Sequence, residues 1–338
     1  MSQQRIRIED VAKQAEVSTA TVSRVLSNPD IVKPARRNAV LSAIKLLGYM
    51  PDQSARALAS GRTYTVGCVV PSIDHAIFAK STQSLQTSLL QNGYQLLIAS
   101  HEYNAQTEQS AVLALQQRGV DALVLVGADH LAATWKALKT WGKPALLTWS
   151  CDARLPSIGF DNDAIARTLI EHLIALGHRK IGLISGFTLH NDRAQSRIDG
   201  ARSAMKQAGL PLPAMRITEQ PFSLEGGRLG LQKLMRLKIK PTAIVCGNDL
   251  LAAGALLEAQ RMGIRVPQAL SICGIDNQEL SRELIPRLTT VNLPTQDLGH
   301  IAAEWIVATL KGEKLSRQTL LPFELLVRES TARPLRGC

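Results

Sequence analysis

The first fifty residues place their apolar side chains at helical spacing in three short segments. Residues 8–15 and 18–26 each have apolar positions three and four residues apart, and only two residues separate these segments. A third segment, residues 34–47, begins with Pro34, which is favoured in the first turn of a helix, and is followed by Gly48. Two short helices with so tight a turn indicate a helix-turn-helix, although the pair alone fits an ordinary αα-hairpin equally well. The third helix favours a small recognition module.

The second of these segments has a face suited to a DNA major groove. Ser18 is a suitable N-cap, and Val17 and Val22 can form a hydrophobic staple around it. The face opposite the apolar one consists of small residues and one long cation, so it can approach base edges closely. This face carries Thr19, Ala20, Ser23, Arg24 and Ser27.

From Tyr64 onward, short apolar runs alternate with segments of helical pattern. Apolar runs of this length are typical of buried parallel strands, and here they form two series. The alternation predicts two doubly wound α/β lobes, in which ligands bind beyond the carboxyl ends of the strands. The predicted strands are 66–70, 95–98, 122–126 and 145–147, then 181–184, 215–217, 243–246 and 270–273, with helices near 164–176, 193–208, 224–237 and 249–261.

Positive charge is concentrated at the amino-terminal end of the chain. The 338 residues carry a net charge of +11, and residues 1–62 contain ten Lys and Arg against five Asp and Glu. A basic end is expected in a protein that displaces counterions from phosphates. A merely soluble basic protein would account for the sign of the charge but not for its uneven distribution.

The sequence lacks the motifs of the main rival class, an enzyme on an α/β fold. It contains no GxSxG elbow, no GxxxxGK[ST] loop and no complete GxGxxG. The seven histidines have no metal-ligand spacing and the five cysteines include no CxxC pair, so we expect no metal, no cofactor and reduced cysteines. No apolar run is long enough to span a bilayer and no signal-peptide core is present, which predicts a cytoplasmic protein without membrane contact.

The amino-terminal motifs together resemble the DNA-binding headpiece of the lactose-repressor/galactose-repressor (LacI/GalR) family. The chain departs from the family pattern at Arg7, Ser27 and Lys33, and at Glu16, where the turn usually has Gly. A left-handed residue other than Gly costs about 1 kcal/mol, so we expect a less stable headpiece of unchanged geometry. The matching residues are Asp10-Val11-Ala12, Val17-Ser18, Thr21-Val22-Ser23-Arg24-Val25-Leu26, Gly48-Tyr49, Pro51, Ala55-Arg56 and Leu58.

The resemblance extends over almost the whole chain through motifs such as Gly177-His178, Arg197-Ile198-Asp199-Gly200 and Asn248-Asp249. It implies a core similar to periplasmic sugar-binding proteins, whose chain crosses three times between lobes. It also implies a homodimer, because no room remains after residue 330 for the family's tetramer-forming leucine repeat. The implied organisation is a headpiece at 1–50, a hinge helix or plain linker at 51–62 and a core at 63–334, with lobe 1 at about 63–160 and 292–320, lobe 2 at about 161–291 and 321–334, and crossings near 159–161, 291–292 and 320–321.

A member of this family is expected to be a transcriptional regulator, most often a repressor, that binds a palindromic duplex operator. Thr19, Ala20 and Arg24 would then read base edges, although Arg24 could pair with a phosphate instead. Leu58 would wedge into the minor groove or else serve only in packing. A purely structural DNA-bending protein would leave the two lobes without a role. The predicted DNA contacts are Ser18, Thr19, Ala20, Ser23, Arg24 and Leu58.

The resemblance also implies a small-molecule effector, a sugar or sugar acid, in the cleft between the lobes. Carboxylate, amide and guanidinium groups suit a polyol, and two arginines with a histidine favour an acidic sugar. Arg197 and Asp276 could instead form a buried ion pair. The predicted effector contacts are His75, Ile77, Phe78, Asp161, Arg193, Arg197, Phe222, Asn248 and Asp276.

Overall fold

A computed structural model describes residues 6–27, 29–50 and 61–335 of the chain. The chain divides into two compact units, Met1–Tyr64 and Thr65–Cys338. Residues 51–60 of the predicted hinge segment 51–62, including Leu58, lie outside the described residues. Among the residues that are described, no helix is both long and apolar enough to cross a membrane.

Among its described residues, the first unit contains three α-helices around a small apolar core. They are α1 (Ile8–Gln14), α2 (Thr19–Ser27) and α3 (Pro34–Leu47). Glu16 adopts the left-handed conformation, with φ of 52°, so the turn between α1 and α2 forms without Gly. Gly48 ends α3 with φ of 62°. The buried core residues are Val11, Ala12, Val22, Val25, Val40 and Ala43.

The start of α1 shows how the chain manages without the family's capping residue. Arg7 precedes the helix and has no side-chain acceptor to offer the first turn. The carboxylate of Asp10 reaches back and accepts a hydrogen bond of 2.8 Å from the backbone N–H of Arg7. Asp10, the third residue of the helix, therefore supplies one half of a capping box, in which its side chain accepts from the backbone N–H of the N-cap residue.

The second unit alternates strands and helices along most of its length. Each predicted strand series forms one sheet, and the predicted α/β class with two parallel-sheet lobes is confirmed. The elements are β1 (Thr65–Val70), α4 (Ala76–Gln91), β2 (Gln95–Ser100), α5 (Ala105–Gln117), β3 (Ala122–Val126), α6 (Ala132–Thr140), β4 (Ala145–Trp149), β5 (Ser157–Gly159), α7 (Asn162–Ala175), β6 (Ile181–Ser185), α8 (Asp192–Gln207), β7 (Ile217–Glu219), α9 (Leu224–Met235), β8 (Ala243–Cys246), α10 (Asp249–Arg261), β9 (Ser271–Asp276), α11 (Leu280–Glu283), β10 (Thr289–Asn292), α12 (Thr295–Leu310), β11 (Gln318–Leu320) and β12 (Glu324–Leu326).

The two sheets have the same winding. The first has the order β11-β5-β4-β3-β1-β2 and the second β12-β10-β9-β8-β6-β7. All neighbouring strands are parallel except β10 and β12, which are antiparallel. We call the first sheet with its helices lobe 1 and the second lobe 2. The chain passes between them after β5, after β10 and after β11.

Each lobe has its own apolar core beneath its helices. In lobe 1, residues such as Leu123, Leu125 and Leu147 are fully buried against α5 and α6. In lobe 2, Ile184, Ile244 and their neighbours pack against α9 and α10. Strands that have a neighbouring strand on each side contain continuous apolar runs, because helices cover both faces of the parallel sheet.

Two details of the strand prediction are wrong. The run at 95–98 is not buried, because β2 lies at the sheet edge, where Leu97 and Ile98 are 38% and 44% exposed. The predicted strand at 215–217 begins only at Ile217, since Ala214–Arg216 forms a 3-10 turn. Apolar periodicity identifies a strand but not its place in a sheet.

Candidate functional site

Helix α2 presents its predicted DNA-reading residues on one exposed side. Ser18 caps the helix, accepting a hydrogen bond of 3.2 Å from the backbone N–H of Thr21. On the opposite side, Val22 and Val25 are buried in the three-helix core. The burial of Val22 and Val25 therefore determines which side of α2 is exposed. Its exposed residues are Ser18, Thr19, Ala20, Ser23 and Arg24.

A cavity of about 40 Å³ lies between the two lobes, at the carboxyl ends of both sheets. In each sheet the strand order reverses direction between the first strand of the lobe and the third, which is where such folds bind ligands. The loops that follow β1, β2, β6, β7 and β8 all reach this cavity. Its lining consists of His75, Ile77, Phe78, Tyr103, Trp149, Asn191, Arg193, Ala194, Arg197, Phe222, Asn248 and Asp276.

Aromatic rings from both lobes meet across the cavity. His75 stacks near Phe78 with a centroid distance of 6.3 Å, and its ring meets that of Phe222 edge-on at 5.9 Å. Tyr103 lies 6.2 Å from Phe222, and Phe78 lies 5.1 Å from Trp149. A continuous series of five rings therefore runs from lobe 1 to Phe222 of lobe 2.

The charged and amide side chains of the cavity belong to lobe 2, and groups at the starts of its helices hold them in place. Asn248 caps α10, its side-chain oxygen accepting from the backbone N–H of Leu251 at 2.9 Å. Arg197, on α8, donates to Asn162 Oδ1 at 2.9 Å and to the carbonyl of Gly247 at 2.8 Å. Fixed in this way, the guanidinium of Arg197 keeps its orientation without a ligand.

Two buried carboxyls lie beneath this wall. Burial raises the pKa of Asp249 to about 7, although hydrogen bonds from Thr290 Oγ1 at 2.6 Å and the N–H of Gln278 at 2.8 Å favour the ionised form. Burial also raises the pKa of Asp276, against the opposing effect of Arg197. Asp276 Oδ1 is buried and has no hydrogen-bond partner among the described residues. The predicted alternative of an Arg197–Asp276 ion pair is not seen among them, because Arg197 bonds elsewhere.

A direct contact joins the lobes beside the cavity. The N–H of Ala128, after β3, donates to Asp192 Oδ2 of α8 at 3.1 Å, and Asp192 also pairs with Arg193 at 2.8 Å. Gly127 has φ of 88°, and a Cβ there would lie 2.1 Å from Arg193 Nη1. Arg193 therefore packs on a position that only Gly leaves open.

Three cavity residues have left-handed backbone conformations that are uncommon outside Gly. Their φ values are 58° at Tyr103, 73° at Trp149 and 112° at Asp276. Such conformations cost energy and cluster at binding sites, where neighbouring structure holds them. Here they follow directly from strand ends that turn sharply toward the cavity.

Eight of the nine predicted effector residues lie in the cavity lining, and Asp161 does not. Asp161 is exposed and caps α7, accepting from the backbone N–H of Ala164 at 2.9 Å. Its position at a crossing between the lobes favoured a place in the cleft, but its carboxylate instead caps the helix that follows it. The sequence reasoning missed Tyr103, Trp149, Asn191 and Ala194. Trp149 could have been found, because it ends an apolar run at the carboxyl end of a strand.

Sequence comparison matches this chain to two domain families. Residues 7–52 match the family described as bacterial regulatory proteins, lacI family. Residues 170–331 match the periplasmic binding protein-like domain. The first range covers the three helices of the first unit. The second range covers most of lobe 2 together with α12 and β11 of lobe 1.

Similar proteins of known role align over nearly the full length. Catabolite control protein A of Priestia megaterium is 31% identical over 329 residues, which cover 96% of this chain and 99% of that protein. The HTH-type transcriptional repressor CytR of Escherichia coli (strain K12) is 31% identical over 328 residues, with 96% of each chain covered. The lac repressor dimer bound to operator and the anti-inducer ONPF superposes with a TM-score of 0.88 at 26% identity, covering 97% of this chain and 100% of that one.

Proposed function

Because the chain belongs to the LacI family of bacterial regulatory proteins and is a DNA-binding transcription regulator rather than an enzyme, we propose that a small metabolite bound between its lobes controls its affinity for a palindromic operator. The observation that carries this proposal is a cavity whose walls come from both lobes. A ligand there contacts both lobes at once, so its binding energy depends on their arrangement. Differential binding to two arrangements is all that allosteric control requires.

The DNA-binding part of the proposal rests on the exposed face of α2. Its methyl groups and one guanidinium can meet thymine methyls and the O6 and N7 of guanine in a major groove. Thr19, Ala20 and Arg24 are exposed together on that face. We assign base reading to these three residues and supporting contacts to Ser18 and Ser23. Leu58 stays a sequence prediction as the minor-groove residue.

A palindromic operator requires a two-fold symmetric protein, and we propose a homodimer. Strand β2 at the edge of lobe 1 leaves Leu97 and Ile98 exposed, and Leu90 near the end of α4 is 56% exposed. Lobe 2 exposes Leu224 and Leu257 on the adjacent helices α9 and α10. Exposed apolar residues grouped in this way are typical of protein interfaces. Repression is the expected outcome of binding, as in the relative named a transcriptional repressor.

The proposal is tested by measuring operator binding with and without metabolites. A palindromic duplex is selected from random sequences, and its affinity for the purified full chain is followed by fluorescence anisotropy. We expect at least one metabolite to change the affinity at least tenfold in the parent protein. The Arg197→Ala variant should bind the operator yet lose this response.

Arg202→Ala is the matched control, because Arg202 lies on the same helix α8 but is half exposed. It should retain the full response. A retained response in Arg197→Ala would contradict the placement of the effector in this cavity. A complete absence of response to any metabolite in the parent protein would contradict effector control itself.

A further inference from the structure

The two walls of the interlobe cavity differ sharply in chemistry. From this segregation we propose that the effector is a flat aromatic ring bearing a carboxylate, with its ring against lobe 1 and its carboxylate against lobe 2. The proposal rests on the proposed function, because it assigns a ligand class to the same cavity. Lobe 1 contributes His75, Ile77, Phe78, Tyr103 and Trp149, and lobe 2 contributes all the charged and amide side chains.

The aromatic character of the cavity is far above that of the chain. Only 13 of 338 residues are Phe, Trp or Tyr, yet four of the twelve cavity residues belong to these types. Ring pairs in offset or edge-on arrangements at 4.5–7 Å are favourable, and the observed distances of 5.1–6.3 Å fall in this range. A ligand ring that enters this series would replace contacts between protein rings by contacts of the same kind between protein and ligand rings.

Phe222 is the ring that lobe 2 sets against the aromatic wall. A Cβ at Gly186 would lie 2.1 Å from Phe222 Cζ, so the absence of a side chain at Gly186 allows the ring to lie there. Phe222 contacts both His75 and Tyr103 of lobe 1. The cavity of about 40 Å³ is much smaller than the ~150 Å³ that holds a benzene molecule. A ring can therefore bind only if Phe222 separates from lobe 1, which couples occupancy to the lobe arrangement.

The polar wall is rich in hydrogen-bond donors. Arg193 and Arg197 can only donate, and the side-chain oxygen of Asn248 is already used in capping α10, which leaves its NH2 group. The carboxyl of Asp276 is buried, its Oδ1 has no hydrogen-bond partner among the described residues, and burial raises its pKa against the opposing effect of Arg197. A donor-rich wall requires an acceptor-rich anion, and a carboxylate accepts on two oxygens.

A sugar suits this division of the cavity less closely than an aromatic carboxylate does. Hydroxyl groups surround the whole rim of a pyranose, so some of them would face lobe 1, where His75, Tyr103 and Trp149 are the lining residues with polar side-chain atoms. Each buried hydroxyl without a partner costs about 1–3 kcal/mol. An aromatic carboxylate has its polar atoms at one end only, so we favour it over the sugar or sugar acid predicted from sequence.

The test compares four probes on the full-length protein by thermal shift and calorimetry. Benzoate has the ring and the charge, cyclohexanecarboxylate has the charge without a flat ring, benzyl alcohol has the ring without the charge, and glucuronate is a sugar acid. We expect benzoate to bind at least tenfold more tightly than each of the other three. Tighter binding of glucuronate, equal binding of cyclohexanecarboxylate, or no binding of benzoate would each overturn the proposal.

Two variants locate the binding site of benzoate. Phe222→Leu should weaken benzoate binding at least tenfold and reduce its advantage over cyclohexanecarboxylate. Phe187→Leu is the matched control, because Phe187 is 53% exposed and lies outside the cavity lining. It should bind benzoate as the parent does. Equal affinity of Phe222→Leu and the parent would overturn the proposal.

Failure of this proposal is distinguishable from failure of the proposed function. If benzoate does not bind but another metabolite still changes operator affinity, only the ligand class is wrong. If no metabolite changes operator affinity, effector control is wrong as well. The operator-binding assay therefore accompanies the probe measurements.

Discussion

Asp249 is the buried carboxyl that joins the start of α10 to the loop after β9, and its removal should change how stability depends on pH. It is 2% exposed and accepts hydrogen bonds from Thr290 Oγ1 and the N–H of Gln278. Asn248 precedes it in the chain, and Gln278 lies two residues after Asp276, so these bonds connect segments that contain two cavity residues. We predict that Asp249→Asn lowers the free energy of unfolding most at acidic pH.

The sign follows from the raised pKa. Burial raises the pKa of Asp249 from 3.8 to about 7, so between these values the folded protein holds a proton that the unfolded chain has lost. The stability from this protonation is complete below pH 3.8 and is lost as the pH rises through about 7. At about 1.4 kcal/mol per pH unit, the stability advantage of the parent over Asp249→Asn should fall by about 3 kcal/mol between about pH 5 and about pH 8.

Urea unfolding followed by far-UV circular dichroism at the two pH values measures this difference. The buried histidines have lowered pKa values, so they change stability with pH in the opposite direction. Their contribution is the same in parent and variant and therefore cancels in the difference between the two. A change in hydrogen bonding that does not depend on pH shifts the difference between parent and variant equally at both pH values. Asp297→Asn, at an exposed position, is the matched control and should follow the parent. Parallel stability curves for the parent and Asp249→Asn would refute the reasoning.

Other variants test the headpiece and the contact between lobes. Ser18→Ala should lower the free energy of unfolding of the three-helix unit by about 1 kcal/mol in thermal melts, since it removes an N-cap; an unchanged melt would contradict the cap. Gly127→Ala should displace Arg193 from the cavity and weaken the metabolite response, whereas Gly312→Ala, with φ of 89° and open space around it, should share only the backbone cost of about 1 kcal/mol; equal responses would argue against the packing of Arg193. Arg24→Ala should relax preference at one operator base pair by about 1–3 kcal/mol in competition anisotropy, and equal loss on random DNA would indicate a phosphate contact instead.

The fold could be predicted from sequence because its signals are local. Apolar spacing identified α1 to α3, and the strand runs gave both sheets. The run at 95–98 shows the limit of this reasoning. The residues of β2 do not indicate that it is an edge strand, because strand order depends on partners that are distant in the chain. Long-range pairing decides which apolar run is buried.

The cavity was predictable where residue type and family resemblance agreed, as at Arg197 and Asp276. Tyr103 could not be assigned from sequence, because it reaches the cavity through a left-handed turn that no local pattern indicates. Asp161 lies outside the cavity lining for the opposite reason. A carboxylate at a helix start has a local use in capping, and that use takes it out of the cavity.

Operator selection tests the central claim most directly. The purified chain is incubated with random duplexes, and the bound sequences are measured by anisotropy at several salt concentrations. We predict enrichment of a two-fold symmetric sequence bound at least a thousandfold more tightly than random DNA, with affinity that falls as salt rises. Binding without any sequence preference, or a preferred site without two-fold symmetry, would contradict the account.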